Sequence, residues 1–268
     1  MVSKASAAGN LGITLDPLEI VTNGPRPAMP ATGVSWNEAA RFLNWLNTSQ
    51  GFPAAYKFSA QPGDAGYAAN DDILLWQAGD PGFDSANQFR NRLARYVLPS
   101  VDEWYKAAYY DPNANGGAGG WWNYPTGSDT PPTPVASGTA AGTAVYFRPV
   151  EEGPADITNA GGLGPYGVMG LGGNVWEWEE NEFDLINDGG LSRGVRGGDW
   201  TNPDFLSGLV NFLSHYSWGC CGFLVFAVGG STSGTDGGTE MLLDPSLYVF
   251  ARHATKCCGN QFRCGWLQ

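Results

Sequence analysis

The sequence predicts an α+β domain in which two short helices are set among long irregular loops. Two Ser-x-x-Glu segments, at Ser35 and Ser100, each open a run with an apolar helical face. Gly (39) and Pro (18) are abundant, and charged residues make up 15%, below the roughly 25% of an ordinary soluble chain. Aromatic residues make up 13%, including 11 Trp, which supplies rigid anchors for loops that have little regular structure. A chain of 268 residues has room for a substantial core in one large domain or two.

Taken in order, residues 1–33 form a poorly defined N-terminal segment, with one short strand expected near Glu19-Ile20-Val21-Thr22. The capping box of Ser35 and Glu38 starts the first helix. Ala39, Phe42, Leu43 and Leu46 follow at i, i+3, i+4 and i+7, and the helix stops between Asn47 and Gly51. Residues 52–92 read as an ordered but irregular excursion. Ser100 and Glu103 make the second box, launching a helix through Trp104, Ala107 and Ala108 towards Tyr110. Pro99 stays outside it, and Asp102 and Glu103 suit the dipole of its first turn. Residues 112–142 are Gly-, Pro-, Thr- and Ser-dominated surface loop. Residues 229–268 are Gly/Ser/Thr-rich and then Cys-rich, and their fold is left open.

Composition excludes several function classes. A net charge of −12 argues against nucleic acid, because neutralising phosphates needs clustered Lys and Arg. The chain lacks an apolar run of about 18 residues, so no membrane span is expected. The start, Met1 to Ala8, has no apolar centre of a signal peptide. A soluble chain is expected, with an exported or cell-surface location left open. The five Cys are Cys220, Cys221, Cys257, Cys258 and Cys264, an odd number. His253, Cys257 and Cys264 are zinc candidates without the usual paired Cys-x-x-Cys spacing; the plainer reading is small buried apolar residues with one disulfide.

Several separated segments occur in a telling order. Val34-Ser35-Trp36 leads into Ala39-Ala40-Arg41-Phe42-Leu43-Asn44-Trp45-Leu46. Leu98-Pro99-Ser100-Val101-Asp102-Glu103-Trp104 and Tyr124-Pro125-Thr126-Gly127 follow. Gly167-Val168-Met169-Gly170 then precedes Gly173-Asn174-Val175-Trp176-Glu177-Trp178, and Arg196-Gly197-Gly198-Asp199-Trp200 closes the series. Together they resemble the formylglycine-generating-enzyme (sulfatase-modifying factor) domain family. The resemblance implies a C-type-lectin-like fold with a small twisted antiparallel sheet over residues 34–228. Two departures accompany it. The family's opening "EVTN" strand and helix have only an echo in Glu19-Ile20-Val21-Thr22-Asn23. The two Cys that bind copper(I) in the family's enzymes fall on Asn202 and Ser207, neither of which offers the sulfur that soft copper needs.

The resemblance also implies a structural Ca2+ held by the carbonyls of Gly173 and Val175 and the carboxylate of Glu177. The oxygen expected from Asp or Asn is lost at Gly170. The plainer reading pairs Glu177 with an Arg such as Arg196 or with backbone N–H groups. Glu151, Glu152, Glu177, Glu179, Glu180, Glu182 and Asp184 form an acidic run that reads first as a solvated face. Residues 203–226 contain no Lys, Arg, Glu or Gln. All but Trp218 lie within reach of an Asn codon by changing its adenines. That resembles the variable regions of diversity-generating retroelement proteins; the other reading is a pair of hydrophobic strands. The expected function is a non-catalytic binding or display module for a protein, peptide or glycan, with Asn174, Trp176, Trp200, Tyr216 and Trp218 as contact residues and no catalytic residue. The alternative is a copper-dependent oxidoreductase converting a peptide Cys to formylglycine, with Cys220, Cys221 or Cys264 relocated into the site.

Overall fold

Both capping boxes form. Ser35 caps α1 (Trp36–Ser49): its Oγ accepts from the Glu38 N–H at 3.3 Å, while the Glu38 carboxylate accepts from the Ser35 N–H at 3.0 Å. Ser100 and Glu103 repeat the exchange at α2 (Val101–Tyr109). Each box satisfies donors that a first helical turn leaves open. α1 buries Trp36, Ala39, Ala40, Leu43 and Leu46, with Phe42 half-buried against the same core. The computed structural model describes residues 4–5, 14–15, 28–30, 34–61, 63–67, 73–182, 193–202, 211–213, 221–222 and 226–227. The strand expected at Glu19–Thr22, the segment 229–268 and the zinc candidates lie outside the described residues.

The longest strand, Trp176–Glu182, is the spine of a four-stranded sheet. Arg193–Arg196 pairs antiparallel with one edge, with a register shift between Trp178 and Glu182, and Asn211–Leu213 extends that side antiparallel. On the other edge Cys221–Gly222 pairs in parallel with Trp176 and Glu177, so the sheet is mixed rather than wholly antiparallel. Tyr96–Val97, just ahead of α2, pairs with Phe226–Ala227. Asn47 joins α1 to this strand. Fully buried, its Nδ2 donates to the Leu43 and Tyr96 carbonyls while its Oδ1 accepts from the Arg95 and Tyr96 N–H groups.

Tryptophans clasp the elements together. Trp36 Nε1 donates to the Glu179 carbonyl, Trp178 Nε1 to the Val34 carbonyl, and Trp104 Nε1 to Glu177 Oε2, each at 2.8 Å. A buried indole needs such an acceptor, and each bond also fixes the position of a distant segment. The core gathers Trp36, Leu43, Tyr56, Tyr96, Leu98, Trp104, Leu171, Trp178 and Val195.

The acidic run is not a solvated face. Glu177, Glu179, Glu180 and Glu182 are all buried. Arg196 Nε bonds Glu179, Arg193 lies 3.9 Å from Glu182, and Arg90 lies 3.7 Å from Glu180 while it grips Glu103. Arg193 is itself sandwiched between the Trp36 and Phe89 rings. Glu180 also accepts from Tyr56 and Asn87, so each of its oxygens has a hydrogen-bond donor. Burial of this many carboxylates is tolerated because each of these three has a cation or several donors to hand. Only Glu151 and Glu152 of the described part of the run are exposed; Asp184 lies outside the described residues.

Candidate functional site

Chain geometry at Gly173 sets the site. Its φ is +80°, and a Cβ there would stand 2.2 Å from the Val145 carbonyl oxygen, so only glycine permits the approach. Asn174 follows at φ 67°, buried, its N–H donating to the Val145 carbonyl at 2.7 Å and its Oδ1 accepting from the Ala155 N–H at 2.8 Å. The Gly173 N–H donates to the Gly197 carbonyl at 2.7 Å, and the Trp200 N–H to the Asn174 carbonyl at 3.2 Å. Two turns far apart in sequence are thus knitted into one.

Asp199 organises the second turn. Its Oδ1 accepts from the Thr201 N–H and hydroxyl, and its Oδ2 accepts from Trp176 Nε1 at 3.1 Å. Asn202 Oδ1 accepts from the Asp199 N–H at 2.6 Å and closes the turn. Asn202 thus serves this turn as a closing amide. A third loop lies against the pair: the Phe147 N–H donates to the Asn202 carbonyl, and the Arg148 N–H to the Trp200 carbonyl. Phe147 has φ 53° and is 63% exposed, and Val150 is 68% exposed. A bulky residue held in left-handed backbone with its ring in water is strained without any gain in burial.

Glu177 does not pair with Arg196, although the two are cross-strand neighbours; Arg196 turns to Glu179 instead. Glu177 is buried, and among the described residues its carboxylate accepts from a neutral donor, Trp104 Nε1. Burial pushes its carboxyl well above the usual range; the Trp104 bond opposes this and the Glu179 charge adds to it. Of the calcium shell, Glu177 is thus a buried carboxylate without a cation among the described residues. Gly170 (φ +80°) adds no side-chain oxygen, and the Gly173 carbonyl already accepts from the Val175 N–H. Among the described residues no three His, Cys, Asp or Glu side chains cluster to hold a metal.

Of the contact residues read from sequence, Asn174, Trp176 and Trp200 come together, but inside the fold, at 4%, 8% and 4% exposure. Trp200 Nε1 donates to the Val150 carbonyl. These three hold the turns in place. Tyr216 and Trp218 lie outside the described residues, as do Ser207 and the Cys side chains. Sequence reasoning missed Phe147, Val150, Ala155 and Asp199. Only Asp199 carried a signal, an Asp two residues before a Thr that can close an Asx turn.

No helix among the described residues is long and apolar enough to cross a membrane. No curated protein matches the chain. Treponema denticola variable protein 1 is similar in structure at a TM-score of 0.47 and 20% identity, over 78% of this chain and 73% of that one. A crystal structure of CarF is similar at a TM-score of 0.45 and 20% identity, over 75% of this chain and 69% of the other. The family model of the sulfatase-modifying factor enzyme 1-like domain matches residues 19–214, from the Glu19–Asn23 segment through the strand Asn211–Leu213. The α+β fold is of the formylglycine-generating-enzyme type, and the chain belongs to the sulfatase-modifying factor enzyme 1-like domain family.

Proposed function

We propose that this chain is a non-catalytic recognition module, presenting a ligand surface from residues 200–226 and from the loop that leans on them. The observation that carries the reading is Asn202: its amide oxygen closes the Asp199 turn at the position where the oxidase chemistry needs a thiolate. Support also comes from Phe147 and Val150, which are exposed beside that turn, Phe147 at the cost of backbone strain. Tyr216 and Trp218 are the proposed contact residues within the segment, since aromatic side chains bring large contact area with few rotatable bonds.

Copper(I) titration against a chromophoric chelator, followed by oxygen uptake with a Cys-containing peptide, tests the reading. Neither stoichiometric copper nor turnover is expected; both together would establish the oxidoreductase instead. Gly173, Val175 and Glu177 are proposed as the protein's share of a structural calcium shell, with water supplying the oxygens absent at Gly170. Calcium there would neutralise the buried Glu177 carboxylate. Melting of chelator-treated protein should rise with added Ca2+ and should not do so in Glu177→Gln. An unchanged wild-type melting temperature removes the metal.

A further inference from the structure

A ladder of aromatic rings runs from the core to the surface on the far side of α2. Trp104 meets Tyr109 edge-on at 5.9 Å, Tyr109 meets Tyr105 at 4.6 Å, Tyr105 meets Trp121 at 5.5 Å, and Trp121 meets Tyr110 at 5.0 Å. Trp104 and Tyr109 are buried, whereas Tyr105 is 42% and Trp121 56% exposed. The outer rings are held rigidly. Tyr110 and Trp121 are cross-strand partners in the ribbon that follows α2, and the Tyr110 hydroxyl lies so close over Gly119 that a Cβ there would stand 2.1 Å from it. Nearby, Asp111 accepts from Trp122 Nε1 and from the Asn113 N–H. Among the described residues, neither the Tyr105 hydroxyl nor the Trp121 indole N–H has a hydrogen-bond partner. Tyr105 and Trp121, inclined 37° to each other, thus form an exposed aromatic pair in which each ring carries an unused polar group.

Charge decides what fits. A cationic ligand would compete with Lys106, whose ammonium already lies 6.0 Å over the Tyr110 ring. An anion would meet Asp111 and a chain of net charge −12. What remains is a neutral ligand that has polarised C–H groups for the ring faces and hydroxyls for the edges. We infer that the Tyr105–Trp121–Tyr110 platform is a binding subsite for a neutral hexopyranose unit of a glycan. The sugar's C–H face lies on Trp121 and Tyr105, and its hydroxyls engage the indole N–H and the Tyr105 hydroxyl. This site uses none of residues 200–226, so it stands or falls separately from the recognition surface proposed above.

The test is saturation-transfer NMR on the full chain with cellohexaose and mannohexaose, with tetramethylammonium chloride and a heparin hexasaccharide as charged comparators. Transfer to the ring C–H protons of at least one neutral sugar is expected, weakened at least about fivefold in Trp121→Ala and in Tyr105→Ala. Trp45→Ala, which removes a surface aromatic on α1, should leave it unchanged, and Tyr105→Phe should keep most of it while guarding against misfolding. Absence of transfer to both neutral sugars overturns the inference, as does transfer that survives both alanine variants. Stronger transfer to tetramethylammonium or heparin reassigns the platform to a charged ligand and also overturns it. Trp121-dependent self-association in sedimentation does the same in favour of a second copy.

Discussion

Replacing Arg90 by Met should cost more than any other single charge removal in the described core. Arg90 reaches both Glu103 oxygens, at 2.5 and 3.0 Å, and lies 3.7 Å from Glu180, whose side chain has no exposure. Taking away one partner of a buried ion pair costs about 3–5 kcal/mol, because the carboxylates are left buried without their cation. For a domain of this size that is a fall in melting temperature of roughly 6–20 °C. The pH dependence makes the argument sharper. Burial pushes Glu103 up, yet the hydrogen bond and charge of Arg90 outweigh it, and its carboxyl ends below the usual value. A depressed carboxyl stabilises the fold above its unfolded value of about 4.3 and loses that contribution as the pH falls through the folded value. Glu180 runs the other way: burial holds it above the ordinary value even with Arg90 beside it. In Arg90→Met both carboxyls rise, so the folded variant gains protons before the unfolded chain does. The stability gap between wild type and variant should therefore narrow as pH falls from 7 to 4. Urea unfolding at the two pH values measures it. A gap below about 1 kcal/mol at pH 7, or one that does not change with pH, would refute the reasoning.

Other expectations follow from the same geometry. Asn47→Ala removes four hydrogen bonds, three of them tying α1 to Arg95 and Tyr96, and should lose at least about 3 kcal/mol in urea unfolding. Gly173→Ala sets a methyl against the Val145 carbonyl at left-handed φ; a loss of roughly 3 kcal/mol is expected, read as a lowered calorimetric melting temperature. Ser35→Ala removes one half of a capping box and should cost only about 1 kcal/mol by the same calorimetry, separating local caps from long-range knots.

The helices were legible because a capping box is a local message: Ser35 and Glu38 meet three residues apart, wherever the rest of the chain goes. The tryptophan anchors were legible as a type but not as pairs, since nothing near Trp36 names Glu179 as its acceptor. The acidic run misled for the same reason. Spacing makes Glu177 to Glu182 look like a solvated stripe, and the groups that allow their burial, such as Tyr56, Asn87 and Arg90, lie far back in the sequence. Family motifs located the turn at Gly173–Trp178 but not the bonds inside it. Asn174, Trp176 and Trp200 are buried there, because a left-handed corner with so few regular hydrogen bonds needs side chains to satisfy its backbone.

The indole clasps divide the molecule's labour. Each donor and acceptor in them lies at or before residue 200: Trp36 with Glu179, Trp104 with Glu177, Trp176 with Asp199, Trp178 with Val34, Trp200 with Val150. The pieces of residues 203–226 that join the sheet do so by main-chain pairing, which is indifferent to side-chain identity. All five of these fasteners are thus set before the segment proposed to carry Tyr216 and Trp218 begins.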